Sequence, residues 1–508
     1  MSTKTESNKR IAKNTLLLYF RMLLTMIVSL YTSRVVLNTL GVDNYGIYNV
    51  VGGIVTMFTF INSSMASATQ RFLTYELGCE ENGNLHQIFN NSIFIHFIIS
   101  LIVILFSETI GLWFLYNKMI IPLERMEAAL WCYQFSIFSA VIMIMSVPYN
   151  AMIIAHEKMG AFAYISIIEV AFKLIIAYSI DFFDYDRLKY YAVFMFLVQL
   201  IIRIIYGQYC QRHFVESRFK IDFNRQRLKE MISFAGFDLY GNLSVTARTH
   251  GINVLLNMFF GPVLNAASGI AAQVQGAVVH FANNIIVAVR PQIIKSYSAN
   301  DYNRVIYLIY KCSLITYILL LMLSIPIIID TPYILGLWLG KVPDYTVIFC
   351  RLTLLFGMFA NLSQVIMIGI HATGKIQRPS FINGSLYLSV IPISYVSYKL
   401  GASPEFAYFF NLCAVFLGII SNAWTLHLYL PSFSFCNYLK NVVIKAFLIL
   451  MVFYGVLMLV YSSLNESFIR LLILCFISFV VALMTIYWIL SLDERKEIIK
   501  KIMRRKSI

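Results

Sequence analysis

Six basic residues, Arg21, Arg34, Lys173, Arg203, Arg248 and Arg351, stand inside stretches otherwise built from apolar and hydroxyl side chains. Placing a lysine or arginine at the centre of a lipid-embedded helix costs roughly 2.5–3.5 kcal/mol, so such a group persists where water, a partner charge or a ligand compensates. The chemistry these residue types offer is anion binding, since a guanidinium presents a planar fork that can grip two oxygens of one phosphate. Only two carboxylates, Glu169 and Asp238, are clearly central in comparable stretches, and either could carry a coupling proton or sodium ion. Each cation also has a structural reading. Arg34 and Arg203 lie close enough to helix ends to snorkel toward water. Lys173 follows Glu169 by four residues, one helical turn, so an internal ion pair and a substrate contact are both open. Arg21, Arg248 and Arg351 have no opposite charge one turn away, and for them the functional reading is preferred.

The neighbours of two of these residues sharpen it. At about 100° per residue, Arg21, Thr25, Ser29 and Thr32 fall on one narrow stripe of a helix. Asp238, Asn242, Thr246, Thr249 and Asn253 line one side of another, in FAGFDLYGNLSVTARTHGINVLLNMFFG. Hydroxyl stripes can be ordinary helix-packing glue, which accounts for the threonines but not for the charges. With Gln273 and Tyr31 these side chains supply hydroxyls, amides and aromatic edges that suit a sugar.

The elements that hold these residues follow from composition. A chain of 508 residues that is 59% hydrophobic and 13% charged has too little polar surface for a water-soluble globule and is an integral membrane protein. Fourteen apolar runs are long enough to cross a core of roughly 30 Å: 14–40, 46–70, 87–115, 126–147, 161–180, 188–210, 234–260, 265–289, 305–329, 345–370, 381–398, 405–427, 443–463 and 468–491. The first is too long for a signal-peptide core and is expected to stay as an uncleaved helix. With both termini inside, about 27 of the 40 lysines and arginines fall in inner segments and about seven in outer ones. The net charge of +15 therefore reads as basic cytoplasmic loops and not as a nucleic-acid surface. The outer loops are short, the longest near DTPYILGLWLGKVPDY, and none of the eight cysteines falls in one.

The runs repeat. VLNTLG ends the first at Gly41 and LLNMFFG ends the seventh at Gly261; Arg71 and Arg290 close the second and eighth; Lys158 and Lys375 mark the inner loops after the fourth and tenth. All three offsets are near 220 residues, which implies two six-helix lobes related by a parallel pseudo-twofold axis. The expected organisation is an N-lobe over 1–210, a basic cytoplasmic linker over 211–233, a C-lobe over 234–427, two further helices over 428–491 that face lipid, and a basic tail over 492–508.

RVVLNTLGVDNYGIYNVVGG, ASATQRFL after the second run and NAMIIAHEKMG after the fourth, set in this helix plan, resemble the Wzx-type polysaccharide flippases of the MOP (multidrug/oligosaccharidyl-lipid/polysaccharide) superfamily, which also holds the MATE transporters. The resemblance spans essentially the whole chain. It implies a V-shaped pair of lobes around a central cavity, in the bacterial inner membrane. It implies a non-enzymatic transporter that moves an undecaprenyl-pyrophosphate-linked O-antigen or capsule repeat unit from the cytoplasmic to the periplasmic leaflet by alternating access, for lipopolysaccharide or other surface polysaccharide assembly. It also makes Arg21, Arg34 and Arg248 the positional candidates for holding the pyrophosphate, with a polysaccharide polymerase as a possible partner.

The charge balance agrees on an anion, because six intramembrane cations outweigh two carboxylates, whereas a drug-cation antiporter should lean acidic. Two alternatives stand beside this reading: a MATE-like cation-coupled multidrug antiporter and a membrane polysaccharide polymerase or ligase, the latter expected to need a larger outer loop. His96, His280 and His371 occur singly, with no metal-ligand spacing, and no Walker A or G-x-G-x-x-G pattern is present. No cofactor and no metal is expected.

Overall fold

The computed structural model describes residues 4–58, 60–79, 84–118, 121–180, 186–218, 224–339 and 342–490. These are helical almost throughout, and they form two compact units: Met1–Leu239 with Arg290–Asp301, and Tyr240–Val289 with Tyr302–Ile508.

The first unit holds α1 (Lys4–Phe58), α2 (Phe60–Gly78), α3 (Leu85–Phe106), α4 (Leu112–Lys118), α5 (Met126–Ala155), α6 (Met159–Ser179), α7 (Arg187–His213) and the start of α8 (Arg225–Phe260). The second holds the rest of α8, most of α9 (Pro262–Ser298), α10 (Tyr302–Ile329), α11 (Thr331–Leu339), α12 (Thr346–Thr373), α13 (Gln377–Lys399), α14 (Phe406–Tyr429), α15 (Phe435–Tyr438), α16 (Lys445–Ser463) and α17 (Phe468–Ile489). α1 is two spans broken at Gly41, the second running on toward α2, and α3 continues through Ser107–Gly111 into α4. Counted so, with α15 and α16 as one and α11 as a short helix in the loop after α10, the described residues form fourteen long helical segments, the number expected from the sequence. Eleven are long and apolar enough to cross a membrane by composition alone. α8, which carries Arg248 and the polar stripe, is not among them.

The ends of these helices have local causes. Gly41 sits at φ +77° and Gly261, between α8 and α9, at φ +85°, a left-handed backbone that only glycine adopts without penalty. Both ends of the sequence repeat thus place a glycine at positive φ. A second matched pair lies at the connections after α5 and α12, where Glu157 (φ 59°) and Gly374 (φ 78°) turn the chain. Asp186 starts α7 by accepting from the amides of Leu188 and Lys189 at 3.0 and 3.3 Å, and Ser467 starts α17 by accepting from the amide of Arg470 at 3.1 Å.

Each unit packs by the same plan. In the first, α5 lies against α3, α2 and α7, and α1 against α6. Its fully buried Tyr133 donates to the carbonyl of Ser107 at 2.6 Å, satisfying an acceptor at the widened turn between α3 and α4. In the second, α12 lies against α10 and α14, and α13 against α14. There Tyr240 of α8 stacks on Phe381 and hydrogen-bonds Ser385 of α13 at 3.2 Å, the counterpart of α1 on α6.

Three expectations need correction. Arg71 and Arg290 do not close their helices; α2 runs on to Gly78 and α9 to Ser298, so both arginines lie within helices. The loop after α10 is largely helical. The last two helices face more than lipid: α16 and α17 both pack on α10, and α17 buries Arg470 against Asp330 at 2.6 and 3.2 Å. Asp330 and Arg470 are 140 residues apart, and no local pattern could have paired them.

Candidate functional site

In the first unit the candidate residues collect where α1 faces α6. Arg21 Nη1 donates to Ser166 Oγ at 3.5 Å, and its guanidinium lies 4.6 Å over the ring of Phe162. Tyr206 of α7 also hydrogen-bonds Ser166. The Arg21 Nε is buried and has no hydrogen-bond partner. No carboxylate pairs with this cation among the described residues.

One turn further along α6 the outcome differs. Lys173 Nζ donates to Glu169 Oε1 at 2.6 Å, and Gln199 Nε2 donates to the same oxygen at 3.1 Å. Of the two readings of Lys173, the ion pair is the one observed, and it neutralises Glu169. Arg203 stacks 3.8 Å over Tyr149. The side chain of Arg34 lies outside the described residues. The Arg21 stripe is graded in exposure, from Ser29 on the surface to buried Thr32. Thr25 and Thr32 return their hydroxyl protons to their own helix, at Met22 O (3.1 Å) and Val28 O (2.7 Å), leaving their oxygen lone pairs as acceptors. Tyr31 meets Tyr178 through their hydroxyls at 2.5 Å.

In the second unit Arg248 is 6% exposed and is held between two aromatic faces, 4.8 Å from Phe356 and 4.7 Å from Tyr387. Its Nη1 donates to Asn411 Oδ1 at 2.7 Å, and its Nε is buried without a partner. It too has no carboxylate partner among the described residues. Along α8, Asn242, Thr246 and Thr249 are exposed, as is Gln273 on α9. Asn253 is tied inward by a relay in which Tyr408 Oη donates to Ser268 Oγ and Ser268 to Asn253 Oδ1, each at 2.7 Å.

The structure does not group all candidates. Arg351 Nε donates to the carbonyl of Ile328 at 2.9 Å in the last turn of α10, a position that favours a cation. Asp238 lies one turn before Asn242 on the continuous α8 and interacts electrostatically with Arg290 of α9, which none of the other stripe residues is shown to do. Ser166, Tyr206, Phe356, Tyr387 and Asn411 were not legible as site residues. Asn411 alone gave a signal, as a lone amide in the apolar run FAYFFNLCAVF.

Each unit therefore presents one arginine whose partners are a hydroxyl or an amide and aromatic faces. Such a group keeps its full charge and an unfilled hydrogen-bonding direction, which is what an incoming anion needs.

Searched by sequence, the chain matches no protein-family model and no curated protein. Solved structures do match its fold. A MATE transporter in the bent conformation superposes with a TM-score of 0.74 at 12% identity, covering 85% of this chain and 99% of that one. A multidrug resistance MATE family transporter of the MOP superfamily in an outward-facing conformation gives 0.67 at 12% identity, covering 84% and 97%. A MOP superfamily transporter from Pyrococcus furiosus, described as having a binding pocket of reverse polarity that suggests a different function, gives 0.63 at 11% identity, covering 83% and 96%. The chain has the all-helical, multi-pass membrane fold of these MATE and MOP superfamily transporters.

Proposed function

We propose that the protein is a flippase that carries an undecaprenyl-pyrophosphate-linked oligosaccharide from the cytoplasmic to the periplasmic leaflet of a bacterial inner membrane. Its termini lie in the cytoplasm, and it works beside the enzymes of surface polysaccharide assembly, a polymerase among them. The observation that carries this reading is the state of Arg21 and Arg248, two cations burdened with desolvation and given only neutral partners. An arrangement of that kind is costly for the fold alone and favourable once a pyrophosphate arrives. The hydroxyls and amides of Thr25, Ser29, Asn242, Thr246, Thr249 and Gln273 would meet the sugars. An inside-negative potential favours outward movement of the anionic head group by about 2.3 kcal/mol per charge per 100 mV.

The antiporter alternative is disfavoured by the carboxylates. Glu169 is paired with Lys173, and Asp238 lies within electrostatic reach of Arg290, so each has a cation of the chain itself to answer its charge, which argues against a cation-coupling role. The reversed pocket polarity described for the Pyrococcus transporter gives a precedent on this fold for a change of function with a change of charge.

The test is complementation of a flippase-deficient strain that makes the matching glycan. Arg21→Lys keeps the cation but loses the fork and should retain partial activity, whereas Arg21→Gln should lose nearly all of it at normal expression. Full activity of Arg21→Gln would remove Arg21 from the substrate site.

A further inference from the structure

The second unit contains a groove that the transport reading does not use. α16 and α17 form an antiparallel hairpin with α10 as its floor, and the hairpin opens at the end where α16 begins and α17 finishes. The opening leaves a cavity of about 970 Å³, the upper end of the usual small-ligand range. Its walls are apolar and largely unpacked: Leu448 is 60%, Val452 55% and Met484 66% exposed. The polar atoms gather at one end, where Lys311, Lys445 and Asn441 stand over the apolar floor. Lys445 is exposed, while Lys311 reaches the carbonyl of Ile489 at 2.9 Å and so is fixed at the groove mouth. Trp488, 81% exposed, lies at the same end, where an indole suits a headgroup layer.

Length and charge identify the occupant. From Lys445 to Val456, the wall of α16 rises about 16 Å at 1.5 Å per residue, close to one leaflet, half of a core of roughly 30 Å. We propose that this groove is a binding site for one anionic diacyl phospholipid, its chains along α16 and α17 and its phosphate between Lys311 and Lys445. A long polyprenyl tail would outrun a groove of this depth, and a zwitterionic lipid would gain little from two ammonium groups. The site lies wholly in the second unit and does not depend on the substrate being a lipid-linked glycan.

Native mass spectrometry of the delipidated full-length protein, offered phosphatidylglycerol and phosphatidylcholine in equal amounts, tests the assignment. Preferential retention of one phosphatidylglycerol per chain is expected, lowered about fivefold by Lys445→Gln, the worth of one surface lysine toward an anionic lipid. Val452→Trp fills the groove from an exposed position and should abolish retention of both lipids. Equal retention of the two lipids, or retention unchanged by both substitutions, overturns the proposal. Polyprenyl pyrophosphate held in place of phosphatidylglycerol, and lost in Val452→Trp, overturns it as well. Arg21→Gln, in the other unit, should leave phosphatidylglycerol retention unchanged, which separates this result from the fate of the transport reading.

Discussion

Replacing Arg248 by methionine should abolish transport and leave the fold nearly as stable as before. The side chain is 6% exposed, with one hydrogen bond to Asn411 at 2.7 Å and two aromatic faces at 4.7 and 4.8 Å. A hydrogen bond to a charged group is worth about 1.5–3 kcal/mol, and each cation–π contact about 0.5–2 kcal/mol. Against these stands the desolvation of the guanidinium, several kcal/mol for a buried ion after relaxation. The two sides are of similar size, and methionine refills most of the volume, so the net change should be about 2 kcal/mol or less in either direction. Losing one partner of a buried ion pair is different, because it orphans the other charge at a cost of about 3–5 kcal/mol. Asp330→Leu provides that yardstick in the same protein, since it strands Arg470. The assay is size-exclusion of detergent-solubilised protein after heating, run beside glycan complementation. A thermal loss for Arg248→Met equal to that of Asp330→Leu would show Arg248 to be a structural cation and refute its assignment to the substrate. Full complementation at normal expression would refute it equally.

Other consequences can be measured independently. Adding Arg470→Met to Asp330→Leu should restore most of the lost thermal stability, because two apolar residues leave no stranded charge; a double variant as unstable as the single would show that packing, not charge, sets the cost. Gly41→Ala should cost about 1–3 kcal/mol, because Gly41 sits at φ 77° and ψ 165°, a conformation nearly confined to glycine, and no other described part of the fold lies within 4 Å of the added methyl to change that penalty. An unchanged melting temperature would show that the backbone at Gly41 carries no such penalty. Burial holds the His156 imidazole below its usual range, the neighbouring Glu216 offsetting this in part. The folded state therefore binds fewer protons than the unfolded chain, so stability is complete above about pH 6.5 and declines below it. His156→Gln should flatten the melting profile between pH 7 and 5, and an unchanged slope would exclude His156 as its source. In a cysteine-free background, an impermeant thiol reagent applied to intact cells should label cysteine at Asp344 and not at Arg225, both exposed; the reverse pattern would invert the proposed orientation.

Apolar run length and the placement of basic residues were enough to count the membrane spans, because a lipid core imposes one requirement, an internally hydrogen-bonded helix of about 20 residues, on every segment that crosses it. The repeat was legible for a similar reason. Gly41 and Gly261 occupy positions whose left-handed backbone excludes other residues at low cost, so the same constraint left the same letter in both halves. Sequence also singled out Arg21 and Arg248, since charge in an apolar run is conspicuous wherever its side chain points. What it could not say was which cations are partnered. Lys173 and Glu169 meet one turn apart and could be anticipated, but Arg470 and Asp330 are separated by 140 residues and are joined only when helices pack. The carbonyl of Ile328, which engages Arg351, is available only because α10 ends there beside α12. Whether a buried charge is a structural member or an open site depends on what stands within about 4 Å of it, and in a helical membrane protein that neighbourhood comes mostly from other helices.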